Sequence, residues 1–178
     1  TPIPFLMIMV VVAHPTVVSL MIGFVIVLSG EFVRLWGVAI AGSETRTTGP
    51  VGGTFLITNG PFSYVRNPLY LGNILMYVGI GIMSNTPLLA AIALIFFLVQ
   101  YSLIVSLEEQ YLAKRFADEY AEYCRSVPRF IPVFRKYTAG HHSQPDLDWK
   151  RGLVSEKRTL QAIGLLTMLL LVLWRFRG

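Results

Sequence analysis

The chain has 178 residues, of which 54% are hydrophobic and 14% charged, against roughly 45–50% and about 25% in an average soluble domain. With a mean hydropathy of +0.59 it lacks the polar surface to clothe a water-soluble core, which excludes secreted, fibrous and disordered classes and points to lipid. The formal net charge of +5 fits membrane topology and headgroup contact rather than nucleic acid, because the basic residues are interleaved with acidic ones.

The length sets a single domain, 1–178, as the default. Pro4 to Ala13 is a short apolar run ending at His14-Pro15. It reads as a fourth span cut short, since the chain opens on Thr1 rather than Met; a basic n-region and small-residue cleavage site are lacking, which argues against a signal peptide. Pro15 to Ile40 is a span whose Glu31 and Arg34 lie three apart on one helical face and can neutralise each other. From Asn67 to Leu107 run 41 residues without Asp, Glu, Lys or Arg, about twice the roughly 20 that one crossing needs. Ser84-Asn85-Thr86-Pro87 divides that run into a helical hairpin, with Pro87 placed to open the second helix.

Glu108 to roughly Arg125 reads as a separate amphipathic helix on the membrane surface, its stripe of Leu112, Phe116, Tyr120 and Tyr123 serving packing, and Pro128 stopping it. Residues 137–157 form a polar linker; its adjacent His141 and His142 lack a third ligand at a suitable spacing, so no metal site is expected. Leu160 to Trp174, within a C-terminal apolar helix over 158–178, is short for a full crossing. Cys124 stands alone, which excludes an internal disulfide, and reads as an inert half-buried thiol.

Glu108 to Arg158 carries ten Lys or Arg and Ala41 to Asn67 carries Arg46 and Arg66, whereas the hairpin turn has none. By the positive-inside rule both long polar segments face the cytoplasm. Gly23, Gly30 and Gly37, and likewise Gly72 and Gly79, recur every seven residues and let neighbouring backbones approach closely. The fold class is therefore all-α integral membrane protein, with about five membrane-embedded helices plus a cytoplasmic amphipathic helix.

Two polar segments flank the charge-free hairpin. Asn67-Pro68 is a helix-start signal at the membrane surface, with Asn67 as cap and Pro68 in the first turn. Unpaired N–H groups there, beside Arg66, suit an anionic carboxylate or phosphate; alternatively Arg66 only anchors the helix to lipid phosphates. Adjacent Glu108 and Glu109 lie about 100° apart on a helix, so at most one shares the bundle-facing side. An inward carboxylate at that depth needs a cation, with Arg66, Arg129 or a bound cation as partner; the alternative is two solvated glutamates.

These segments resemble the paired signature of the isoprenylcysteine carboxyl methyltransferase and phospholipid methyltransferase superfamily of membrane enzymes. The first motif of that superfamily, Gly-Pro-(Tyr/Phe) followed by Arg-His-Pro-x-Tyr-x-Gly, is matched by Gly60-Pro61-Phe62 and Arg66-Asn67-Pro68-Leu69-Tyr70-Leu71-Gly72. The second is matched by Glu108-Glu109-Gln110-Tyr111-Leu112, Phe116-Ala117, Tyr120-Ala121-Glu122-Tyr123 and Val127-Pro128-Arg129. The signature region spans 60–132. Asn67 stands for the usual histidine and cannot titrate near neutral pH; Ala117 stands for the usual glycine, which predicts only a helical turn there.

The resemblance implies methyl transfer from S-adenosylmethionine to a lipid-borne acceptor that enters from the membrane. Carried over by position, Tyr64, Val65, Arg66, Asn67, Pro68, Tyr70, Leu71 and Gly72 form the cofactor site, with Glu108 or Glu109 on its cationic groups. Arg129 is expected to orient a carboxylate or phosphate of the acceptor, and Glu109 to give electrostatic support or accept a proton from an amine. Isoprenylcysteine-type carboxyl methylation is favoured, phospholipid amine N-methylation comes next, and the oligomeric state stays open. The rival readings are an NADPH-dependent membrane enzyme like the sterol reductases, and a non-enzymatic membrane scaffold or transporter.

Overall fold

A computed structural model describes residues 3–42, 56–139 and 144–177, so His141 and His142 lie outside the described residues. The helices are α1 (Ile3–Val11), α2 (Val17–Ala41), α3 (Pro68–Met83), α4 (Pro87–Ser126) and α5 (Trp149–Arg177), with a 3-10 turn at Gly60–Ser63. No strand occurs among the described residues. The architecture is all-α, as the composition requires of a chain that must satisfy its backbone within lipid.

Among the described residues three helices are long and apolar enough to cross a membrane: α2, α4 and α5. The apolar α3 has 16 residues, about 24 Å of helix against a hydrocarbon core of roughly 30 Å. Of about five membrane-embedded helices expected, three of those described qualify as spans on length. Two boundaries also differ from expectation. The amphipathic stretch from Glu108 continues α4 without interruption as far as Phe116 and is then broken at Ala117 rather than forming one separate helix, and α5 is a 29-residue helix beginning inside the supposed linker. Hydrophobic periodicity located the apolar cores of these helices; their polar ends stay helical because tertiary partners hold them.

The described residues divide into two compact units. The first contains the chain up to Phe32, Gly72–Val99 and the part from Lys157 onward. Here α2 meets α3 through small residues: a Cβ on Gly23 would lie 2.5 Å from the Gly79 carbonyl, and one on Gly30 would lie 2.6 Å from the Gly72 carbonyl. The seven-residue glycine spacing thus permits backbone contact. Met9, Val27, Met83 and Leu170 fill its interior, and Tyr77 stacks on Phe97 with ring centres 4.1 Å apart. The hairpin turn forms where expected, with Asn85 at φ 54° and Pro87 opening α4. His14 N–H donates to the Ser84 carbonyl at 3.1 Å, and Asn85 Nδ2 donates to the His14 carbonyl at 3.1 Å. Arg177 Nη1 donates to the carbonyls of Val11 and Ala13, serving as a cationic cap beyond the end of α1.

The second unit comprises the described parts of Val33–Leu71 and Gln100–Glu156. Its core is Leu56, Tyr120, Tyr123 and Val127, with Leu112, Phe116, Cys124 and Tyr137 packed against it. The aromatic stripe of α4 therefore serves packing, as its spacing indicated. Arg34 Nη2 donates to both Glu156 carboxylate oxygens at 3.0 and 2.8 Å, and Glu156 is fully buried. That bond ties the polar part of α5 to α2, and Asp148 Oδ1, accepting from Arg151 N–H at 3.0 Å, caps the start of the helix.

Ala117 departs from the expected helical turn, taking φ 38° and ψ −110° within α4. A side chain rarely adopts positive φ, so the glycine usual at this motif position fits the geometry and alanine occupies it under strain.

Candidate functional site

The first motif is set by short-range rules. Gly60 enters the 3-10 turn at φ 57°, and Ser63 Oγ donates back to the Gly60 carbonyl at 2.7 Å. Val65 is buried, and the Tyr64 ring lies 6.1 Å from that of Trp36 on α2. Proline opens α3 at Pro68, with Leu71 N–H bonded to the Asn67 carbonyl at 3.1 Å. Asn67 thus caps through its backbone. Its side-chain Nδ2 instead donates to the Arg129 carbonyl at 3.2 Å.

The second motif meets the first through charge. Arg66 donates from Nε to Glu109 Oε1 at 3.1 Å, and its Nη2 lies 3.0 Å from the same oxygen. Its Nη1 donates to the carbonyls of Cys124 and Val127 at 3.1 and 2.9 Å, while its own N–H donates to the Pro128 carbonyl. Arg129 pairs with the other Glu109 oxygen and also donates to Ser106 Oγ. One carboxylate is therefore held between two guanidiniums, one on each oxygen, in charge-assisted hydrogen bonds.

Glu108 takes a different partner. Tyr70 on α3 donates its hydroxyl to Glu108 Oε1 at 2.6 Å, and the Tyr70 and Tyr101 rings lie 4.8 Å apart. Both adjacent glutamates are thus half-buried and engaged, contrary to the expectation that at most one faces inward. Partners reach them from different directions, from α3 for Glu108 and from Arg66 and the loop after α4 for Glu109, so one helical face need not hold both. The reading of two solvated glutamates falls for the same reason. Gly72, placed in the cofactor set by position, is buried with its carbonyl facing Gly30, and Leu71 and Pro68 are partly or fully buried.

Several contributors escaped sequence reasoning. Tyr123 donates its hydroxyl to the Phe62 carbonyl at 2.6 Å, Val133 N–H to the Tyr64 carbonyl at 2.9 Å and Tyr137 N–H to the Ser63 carbonyl at 3.0 Å. The Tyr-x-x-Tyr pattern was the available signal for Tyr123, but its spacing spoke only of packing. Burial, with Glu122 and Glu119 nearby, raises Tyr137 above the usual phenol range, which keeps it neutral. Cys124 is a free, half-buried thiol. Among the described residues no group of three or more His, Cys, Asp or Glu could hold a metal ion.

An all-helical membrane scaffold carrying a hydrogen-bonded charge cluster where α3 begins and the apolar run of α4 ends defines an integral membrane protein with a polar site at that boundary. The profile of the phospholipid methyltransferase family matches residues 18–119, more than half of the chain and including the first motif and the start of the second, through Phe116-Ala117. The chain belongs to that family. It is 34% identical over 105 residues to the cobalt-zinc-cadmium resistance protein CzcN of Cupriavidus metallidurans, covering 58% of this chain and 44% of that protein. It is 38% identical over 79 residues to the nickel-cobalt-cadmium resistance protein NccN of Alcaligenes xylosoxydans xylosoxydans, covering 44% and 37%. Over 82 residues it is 34% identical to the protein-S-isoprenylcysteine O-methyltransferase of Schizosaccharomyces pombe, covering 44% and 33%. The matched stretch spans less than half the length of each of these relatives.

Proposed function

We propose that the chain transfers a methyl group from S-adenosylmethionine to a lipid-borne acceptor at the cytoplasmic face of the membrane, by carboxyl methylation of the isoprenylcysteine type. The observation that carries this reading is the unequal partnering of the two glutamates. Glu109 is neutralised by Arg66 and Arg129, whereas Glu108 accepts from a neutral phenol, which leaves its carboxyl group available to a cationic ligand group. The donor set fits the cofactor. Glu108 offers a carboxylate to an ammonium or sulfonium, and the first-turn amides of α3 at Leu69 and Tyr70 offer donors to a carboxylate. When bound, S-adenosylmethionine supplies a methyl group on positively charged sulfur.

The remaining work falls to alignment and exclusion of water. Arg66 spends its donors on Glu109, Cys124 and Val127, so it positions the loop after α4 rather than binding the cofactor itself. Glu109 acts likewise as a positioning residue. Both its oxygens accept from guanidiniums, which leaves none aimed at a proton on an amine and favours a carboxyl acceptor. Arg129 is the more open of the two cations, with its side chain 38% exposed against 13% for Arg66, and it orients the acceptor carboxylate. Asn67, committed to the Arg129 carbonyl, steadies that arginine without carrying a proton. Tyr64, Val65 and Tyr70 line the same loop and helix start. The isoprenylcysteine methyltransferase relative supports this acceptor class, while the metal-resistance relatives carry names that specify no methyl acceptor. The cytoplasmic orientation rests on the positive-inside rule.

The test is a methyl-transfer assay on the detergent-solubilised chain with radiolabelled S-adenosylmethionine, offering a prenylated cysteine or phosphatidylethanolamine. An alkali-labile label on the prenylcysteine marks a methyl ester and is the expected result. An alkali-stable label on phosphatidylethanolamine would move the assignment to amine methylation. Thermal stabilisation by NADPH and not by S-adenosylhomocysteine would overturn the methyltransferase reading altogether.

A further inference from the structure

We propose that the loop after α4, residues 130–136, is an interfacial anchor that inserts into the headgroup region of an anionic bilayer and holds Arg129 at that depth. Phe134 is fully exposed and Ile131 is 78% exposed, an unusual presentation for large apolar side chains on a polar segment. The loop is nevertheless pinned at several points. Arg129 reaches Ser106 and Glu109 at its start, Val133 N–H donates to Tyr64, and Tyr137 N–H closes it on Ser63. Phe134 is thus held outward between two backbone bonds.

Position and charge identify what covers it. Leu103 and Leu107 on α4 are 66% and 68% exposed and lie one turn apart on a face that needs lipid. Ser106, adjacent to Leu107, is the residue Arg129 touches. Ile131 follows Arg129 by two residues, about 7 Å of chain at most, and Phe134 by five, about 17 Å, which keeps both within reach of the headgroup layer. From Tyr123 to Pro145 the chain has four basic residues, Arg125, Arg129, Arg135 and Lys136, and no acidic one. Arg135 and Lys136 beside Phe134 are both exposed. Aromatic rings settle at membrane interfaces, and basic residues next to them are drawn to anionic lipid. A soluble protein partner would not require this combination at the end of a lipid-facing stripe. The anchor would keep the Arg129 guanidinium level with the head of any molecule lying in the membrane.

The test places an environment-sensitive fluorophore on Phe134→Cys in a Cys124→Ser background of the full chain, reconstituted into bilayers of phosphatidylcholine with and without phosphatidylglycerol. Leu107→Cys serves as the lipid reference and the exposed Asp118→Cys as the water reference. The expected emission at 134 is blue-shifted toward the Leu107 reference in anionic bilayers and is quenched by headgroup-proximal nitroxide lipids. Replacing Arg135 by Gln lowers the insertion constant about fivefold in anionic bilayers, and replacing Lys136 does the same. Emission at 134 matching the Asp118 reference in anionic bilayers would overturn the proposal. So would emission that depends on the protein-to-lipid ratio, since that assigns the loop to a second copy of the chain. The readout involves neither cofactor nor methyl transfer, so it stands apart from the proposed activity.

Discussion

The two compact units differ in how much charge they use to hold their helices together. In the first, α2 and α3 approach through Gly23, Gly30 and Gly79 until backbone touches backbone, and apolar side chains such as Met9 and Met83 complete the packing. In the second, ionic and hydrogen-bonded contacts join elements in addition to an aromatic core: Arg34 on Glu156, Arg66 and Arg129 on Glu109, Tyr70 on Glu108. Lipid tails are as apolar as leucine, so burial alone does not drive helices together in the membrane, and close contact between small residues supplies dispersion instead. Where the chain leaves the apolar run, charges can be used, provided each buried one finds a partner.

This contrast can be broken by substitution. The largest effect is expected from Arg66→Ala, which leaves Glu109 short of a cation and frees the carbonyls of Cys124 and Val127. Removing one partner of a buried pair costs about 3–5 kcal/mol, measurable by denaturant titration in micelles; a loss under 1 kcal/mol, on the order expected of surface pairs, would show the clamp to be a surface ornament. Gly79→Val comes next. A Cβ there meets the Gly23 carbonyl at 2.8 Å, and overpacking of this kind costs about 2–3 kcal/mol, read as lost thermal stability in micelles. An unchanged melting temperature would mean that α2 and α3 do not depend on close approach. The smallest effect has the opposite sign: Ala117→Gly relieves a positive φ and should stabilise by about 1 kcal/mol. Destabilisation in the same titration would show that the chain around residue 117 is helical after all.

Much of the scaffold was legible because it obeys local rules. The start of α3 follows from Asn67-Pro68 and the hairpin turn from Ser84 to Pro87, since proline and capping geometry act over a few residues. The glycine repeat announced the close approach of α2 and α3. The site was legible only as a set of positions: Arg66, Glu108, Glu109 and Arg129 could be nominated, but which carboxylate took which partner could not. The continuation of α4 beyond Leu107 and the early start of α5 at Trp149 escaped for the same reason. Polar residues there are held in helix where Glu109, Glu108 and Glu156 each find a partner distant in sequence, with Asp148 capping the start of α5 locally.

By itself, then, the sequence determined the solvent, the helical class, the hairpin and the family signature, all consequences of hydrophobicity, spacing and backbone preference within short windows. Tertiary structure alone decided the pairing of Glu109 with two arginines and of Glu108 with Tyr70, and the outward set of Phe134. Such choices depend on which side chains arrive from distant segments, and a charge taken from water is tolerated only where a partner has been brought to meet it.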